Sequence, residues 1–132
     1  MILVIEDEEN IQKLIKANLA ASGHEVLVAT SGEEGLRLAQ ERKPGLILLD
    51  LMMPGISGWD VLNRLKAVSG GEGAPPIIII TAAVRPGDAE KARAMGDAGY
   101  LTKPFTADEL LRKVQKAMKR KHHNASPPNP GG

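Results

Sequence analysis

Short apolar runs alternate along the chain with longer stretches in which apolar residues recur every three or four positions. Residues 2–5, 25–29, 46–50, 77–80 and 99–101 read as strands, and the segments between them as helices. Leu46-Ile47-Leu48-Leu49 and Ile77-Ile78-Ile79-Ile80 are apolar at every position, as strands covered on both faces require. Ile11, Leu14, Ile15 and Leu19 fall at helical spacing ahead of Gly23, a C-terminal stop. Ser31-Gly32-Glu33-Glu34 and Thr106-Ala107-Asp108-Glu109 match the capping box, in which a hydroxyl and a carboxylate three residues apart satisfy free N–H groups of the first turn. In the last helix Leu110, Val114, Ala117 and Met118 form the apolar stripe. The fourth helix, from about 88 to 96, offers mainly Ala89, Ala92 and Met95, so it is expected to be the most easily displaced. Together these elements predict an α/β fold: a doubly wound five-stranded parallel sheet with helices on both faces and right-handed crossovers.

The polar residues at the ends of these runs carry the chemistry. Asp50 closes the third strand, Glu6-Asp7 follow the first, Thr81 the fourth, and Lys103 stands shortly after the fifth. In open parallel sheets ligands bind beyond the carboxyl ends of the strands, so the topology gathers these groups at one edge. A carboxylate at the end of a doubly covered strand is costly unless it meets polar partners. Asp50 can attack phosphorus to give an acyl phosphate, but attacker and phosphoryl are both negative, so a cation must intervene. Glu6, Asp7 and Asp50 form a hard oxygen cluster suited to Mg²⁺, which takes one or two carboxylates directly and keeps several waters. Lys103 supplies a second positive charge, and Thr81 a hydroxyl for another phosphoryl oxygen. Taken singly, each residue has an ordinary structural role: Glu6 and Asp7 at a helix start, Thr81 bonded to backbone, Lys103 in a turn. Acid, acid, hydroxyl and ammonium at four strand ends of one sheet are not explained that way.

Composition narrows the setting. The 132 residues are 42% hydrophobic, enough for one domain with a real core, expected over residues 1–121 with a flexible Pro/Gly-rich tail or linker over 122–132. The glycine-rich stretch 69–76 is a second flexible segment. There is no cysteine, which removes disulfides and thiolate chemistry and makes a cytoplasmic, soluble protein the expectation, with no membrane partner. The net charge of +1 conceals an asymmetry: all 16 acids and 11 of the 17 basic residues precede Leu110, a balance of −5, while six basic residues and no acid follow. Those cations complement the C-terminal dipole of the last helix, and no direct nucleic-acid binding is expected from this domain.

Two enzymatic or cofactor readings fit less well. Hydrolases of the haloacid dehalogenase type need a second Asp two residues after the nucleophile, where this chain has Met52. A flavin or nucleotide module needs a phosphate cradle after the first strand, where Glu6-Asp7-Glu8-Glu9 would repel a bare phosphate.

Over residues 2–118 the chain resembles the receiver domain of bacterial two-component response regulators. The likeness rests on Ile2-Leu3-Val4-Ile5-Glu6-Asp7-Glu8, on Leu48-Leu49-Asp50 with Leu51-Met52-Met53-Pro54-Gly55-Ile56-Ser57-Gly58, on Thr81-Ala82, and on Gly99-Tyr100-Leu101-Thr102-Lys103-Pro104-Phe105. The resemblance implies a flavodoxin-like strand order of 2-1-3-4-5. It implies that Asp50 is the phosphoacceptor, that Glu6, Asp7, Asp50 and the Met52 backbone carbonyl surround Mg²⁺, and that Lys103 and Thr81 read the phosphoryl group. It also implies a cis peptide at Lys103-Pro104 and a switch in which Thr81 and Tyr100 rearrange the face of helix 4, strand 5 and helix 5. The implied phosphodonor is a sensor histidine kinase or a histidine phosphotransfer protein. The chain would then be a signalling phosphoacceptor, not an enzyme, that assists only its own phosphorylation and dephosphorylation. The alternative is a receiver-like interaction scaffold that works without phosphorylation. Two features depart from the family: Glu6 stands where Asp is more frequent, and Asp97-Ala98 carries one acid where DNA-binding relatives often have two, which weakens the case for their salt-bridged dimer. Met52 and Ala83, both apolar, lie two residues beyond Asp50 and Thr81 and predict a comparatively long-lived phosphoryl state.

Overall fold

A computed structural model describes residues 1–69, 74–82, 86–94 and 99–125. Among them the chain forms β1 (Ile2–Ile5), α1 (Glu9–Ala21), β2 (Val26–Ala29), α2 (Gly32–Arg42), β3 (Leu46–Asp50), α3 (Gly58–Ser69), β4 (Ile77–Thr81), α4 (Asp88–Ala94), β5 (Gly99–Thr102) and α5 (Ala107–Ala125). All strand pairs are parallel, and the order is β2-β1-β3-β4-β5, as the resemblance implied. Residues 70–73 of the expected 69–76 loop, together with Ala83, Met95, Asp97, Ala98 and the tail from 126 onward, lie outside the described residues.

Helix ends follow the local chemistry. The Thr106 hydroxyl accepts from the Glu109 N–H at 3.1 Å while Glu109 Oε1 accepts from the Thr106 N–H at 3.1 Å, a complete capping box. At α2 the Ser31 hydroxyl accepts from the Glu34 N–H at 3.1 Å, but the Glu34 carboxylate reaches one residue further back, to the N–H of Thr30 at 2.7 Å. Gly23, at φ +90°, follows the end of α1, and the amides of Gly23 and His24 close on the carbonyls of Ala20 and Leu19. β4 and β5 each run one residue longer than the apolar pattern suggests. The Lys103 N–H donates to the Thr81 carbonyl at 2.8 Å and keeps the two strands paired to their polar ends. α5 runs to Ala125, four residues into the stretch expected as a tail, with no proline or glycine in its interior.

The alternation of side chains along the strands divides the core in two. Leu3, Ile5, Ile47, Leu49, Ile77 and Ile79 face α2 and α3, with Val61, Leu62 and Leu65 from α3 and Ala92 from α4. Ile2, Val4, Leu46, Leu48, Ile78, Ile80 and Leu101 face α1 and α5, with Ile15, Leu19, Leu110, Val114 and Ala117. Leu14, three residues after Ile11, lies to the side of that stripe and stays exposed. No helix among the described residues is long and apolar enough to cross a membrane.

Candidate functional site

Even-numbered positions of β1 and β3 point toward α1 and α5, and Glu6 and Asp50 continue that parity at the strand ends. Both are enclosed, Glu6 at 0% and Asp50 at 1% relative exposure. Lys103, two residues beyond Leu101, joins them from β5, with its side chain 8% exposed. Its Nζ donates to Asp50 Oδ2 at 3.1 Å and to Glu8 Oε1 at 3.0 Å. Glu6 Oε1 lies 2.8 Å from the same nitrogen, an ion-pair contact without hydrogen-bond alignment. The other oxygens are held by backbone: Asp50 Oδ1 accepts from the Met52 N–H at 2.9 Å, and Glu6 Oε2 from the Glu8 N–H at 3.1 Å. The Lys103-Pro104 peptide is cis, as expected.

The β3–α3 loop is drawn tightly over this edge. Gly55 turns at φ +91°, and a Cβ on Gly58 would stand 2.5 Å from the Leu51 Cα. A side chain at position 58 would push the loop away from the end of β3, whereas at position 55 only the backbone conformation favours glycine. Gln12 Nε2 donates to the Glu6 carbonyl at 2.6 Å and ties α1 to the end of β1.

Carboxylate oxygens from Glu6, Asp7, Glu8 and Asp50 all lie within 4.8 Å of one another, so the expected cluster of Glu6, Asp7 and Asp50 is brought together. Glu8 is the member that sequence reasoning missed. It stood in the acidic run 6–9, yet nothing in the order of residues distinguishes it from Glu9, which pairs instead with Lys13 at 3.0 Å. Four carboxylates around one ammonium leave a local excess of three negative charges when all are ionised. Burial, and then the neighbouring Asp50 carboxylate, push the Glu6 carboxyl up to about 7. Burial works to lower the pKa of Lys103, but its contacts with Glu6, Glu8 and Asp50 outweigh that and hold it above the ordinary lysine range. An acid made hard to ionise, beside exposed acids and short of positive charge, is a donor set that fits a hard divalent cation.

Thr81 and Tyr100 belong to the other side of the sheet. Thr81, 1% exposed, continues the parity of Ile77 and Ile79, and Tyr100 packs against that same core cluster with its hydroxyl oxygen enclosed. The edge thus presents acids and lysine above one face and the hydroxyl-bearing pair above the opposite one. Met52 holds Asp50 through its backbone, while its side chain is 49% exposed over the site.

Residues 2–115 match the response regulator receiver domain. The chain is 38% identical over 126 residues to the alkaline phosphatase synthesis transcriptional regulatory protein PhoP of Bacillus subtilis, covering 96% of this chain and 51% of the relative. It is 37% identical over 120 residues to the transcriptional regulatory protein KdpE of Mycobacterium tuberculosis, covering 91% of this chain and 51% of that protein. It therefore spans about half the length of these relatives. Among solved structures, the signal receiver domain of a putative Luxo repressor protein from Vibrio parahaemolyticus superposes with a TM-score of 0.86 at 27% identity, covering 94% of this chain and 93% of that one. A CheY-like receiver domain from Methanospirillum hungatei shares the fold, with a TM-score of 0.84 at 23% identity over 92% of this chain and 94% of that one.

Proposed function

This chain belongs to the response regulator receiver domains of two-component systems, and on that premise we propose that Asp50 accepts a phosphoryl group from the phosphohistidine of a sensor histidine kinase or a histidine phosphotransfer protein, in a reaction that needs Mg²⁺. The observation that carries this reading is the setting of Asp50: a carboxylate 1% exposed, with one oxygen on the Met52 N–H and the other on Lys103 Nζ, beside a cluster of acids. A bond forms between an Asp50 oxygen and phosphorus as the P–N bond to the donor imidazole breaks, and its electron pair leaves with the imidazole nitrogen. Held by these acids, Mg²⁺ would supply positive charge against the repulsion between the carboxylates and the incoming phosphoryl group.

The chain's own residues divide the remaining work. Glu6, Asp7, Asp50 and the Met52 carbonyl are the proposed cation ligands. Lys103 stands opposite as the second positive charge, and Thr81 supplies a hydroxyl to a phosphoryl oxygen. Tyr100, whose ring borders the α2–α3 core, responds to the movement of Thr81 and alters the surface of α4, β5 and α5. The result is a switched surface, not a turned-over substrate. No second acid lies two residues beyond Asp50 to drive hydrolysis, because Met52 is there.

Incubation with a small phosphodonor and Mg²⁺, followed by intact mass, tests the reading. The wild type is expected to gain a base-labile phosphoryl group and Asp50→Asn to gain none. The same gain on Asp50→Asn, or no gain on the wild type, would sink it.

A further inference from the structure

We infer that Glu8 is a positioning residue that gates Lys103: in the resting state its carboxylate occupies an ammonium N–H that the incoming phosphoryl group must take over. The inference rests on the phosphoacceptor role proposed above for Asp50.

The three acids around Lys103 Nζ are not equivalent. Glu6 and Asp50 are enclosed, and each has its second oxygen fixed by a backbone N–H, so neither can turn away cheaply. Glu8 is 59% exposed, and its side chain holds Nζ at 3.0 Å from the solvent side. Among the described residues Nζ makes two aligned hydrogen bonds, one to Asp50 and the other to Glu8, and Glu6 Oε1 crowds the same nitrogen at 2.8 Å. An ammonium has three N–H groups and no other way to contact a phosphoryl oxygen. The exposed carboxylate is the partner that water can replace at least cost, because a solvated ion pair is screened and worth little. Glu8 therefore leaves first, and while it remains it competes with the phosphodonor for the same proton.

A second contact separates the two roles of this residue. The Glu8 backbone N–H anchors Glu6 Oε2, and a side-chain substitution leaves that bond in place. Glu8→Gln removes the charge at nearly constant shape, so its effect reports on the contact with Lys103. Glu9→Gln is the control. Glu9 is also exposed at the start of α1, but its carboxylate is held by Lys13 at 3.0 Å.

The experiment measures the rate of phosphorylation of the whole chain against acetyl phosphate concentration at saturating Mg²⁺, together with the Mg²⁺ concentration needed for half the effect. Glu8→Gln is expected to lower the half-saturating donor concentration by about threefold to tenfold, with the limiting rate within about twofold of wild type, and Glu9→Gln to change neither. An equal drop in Glu9→Gln would assign the effect to the general field of acids and overturn the gate. A fall in limiting rate for Glu8→Gln would show that Glu8 supports Lys103 instead of competing with the donor, and would also overturn it. A raised Mg²⁺ requirement with an unchanged donor response would make Glu8 a cation ligand, with the same consequence. Failure of the wild type itself to gain a phosphoryl group would remove the proposed function, and the gate with it.

Discussion

On the β1–β3 flank of the sheet's carboxyl edge, Glu6, Asp50 and Lys103 are joined by contacts of 2.8 and 3.1 Å, and all three side chains are nearly closed to solvent. On the β4–β5 flank, Thr81 ends β4 and Tyr100 of β5 packs against the cluster that holds Ala92, the buried hydrophobic side chain of α4 among the described residues. α5 packs beside the same β5 strand but sinks Leu110, Val114 and Ala117 into the core. On the proposed function, the difference would let one small domain hold a reactive group still while leaving its readout free to move. Charge pairing in an enclosed site fixes geometry, whereas a helix anchored by a methyl group gives up little apolar burial when it shifts.

The sharpest way to break that contrast is to weaken the firm neighbour. Leu110→Ala is expected to cost about 2–5 kcal/mol in urea unfolding, as large-to-small changes at enclosed sites do. Ala92→Gly should cost about 1 kcal/mol, mostly through helix propensity. Equal losses would mean that α4 is as firmly held as α5.

The clamped flank can be probed through pH. The Glu6 carboxyl is raised from an ordinary 4.5 to about 7, so the folded state binds that proton more tightly than the unfolded chain does. Its stabilising contribution is full below pH 4.5 and is lost as the pH rises through about 7. For a shift of this size the loss is on the order of 3 kcal/mol without divalent cation. Glu6→Gln should therefore gain stability relative to wild type between those limits, measured by chemical denaturation in the presence of a chelator. Added Mg²⁺ should stabilise the wild type more at pH 8 than at pH 5, since it favours the ionised carboxylate.

Smaller effects are expected where water and aromatic contacts are the variables. The exposed Met52 side chain offers no polar group to orient a water toward a phosphorylated Asp50, so Met52→Asn should speed loss of the phosphoryl group by a factor on the order of ten, about 1.4 kcal/mol in the barrier. An unchanged lifetime would remove Met52 from the account. Lys91 Nζ of α4 lies 4.5 Å from the ring centroid of Trp59 in α3, a contact that ties the two helices together. Lys91→Met keeps the aliphatic stem and should release only about 0.5–1 kcal/mol. Trp59 is the sole tryptophan, so its emission and quenching report this loosening directly. No change in either would show that α4 is held by something else.

Much of the architecture was legible because each strand announces itself as a short apolar run that a polar residue closes or follows. Asp50, Thr81 and Lys103 were placed at one edge by topology alone, since parallel strands joined by crossovers share a direction. The face to which each points was not legible. β1 is apolar throughout, and β3 and β4 are apolar at every position before their last residue, so without polar alternation they give no sign of which parity meets which helix layer. Only the packed sheet put Glu6 and Asp50 above α1 and α5, and Thr81 above α3.

The acidic run at residues 6–9 shows the same division. By itself the sequence determined that a cluster of negative charge follows β1 and that an Asp closes β3, because residue type and strand order suffice for that. Tertiary structure alone decided that Glu6 is enclosed and hard to ionise, that Glu8 turns to a lysine 95 residues away, and that Glu9 turns outward to Lys13. Four adjacent acids are chemically alike in a sequence. Burial and the position of a distant ammonium set them apart, and both exist only once the chain has folded.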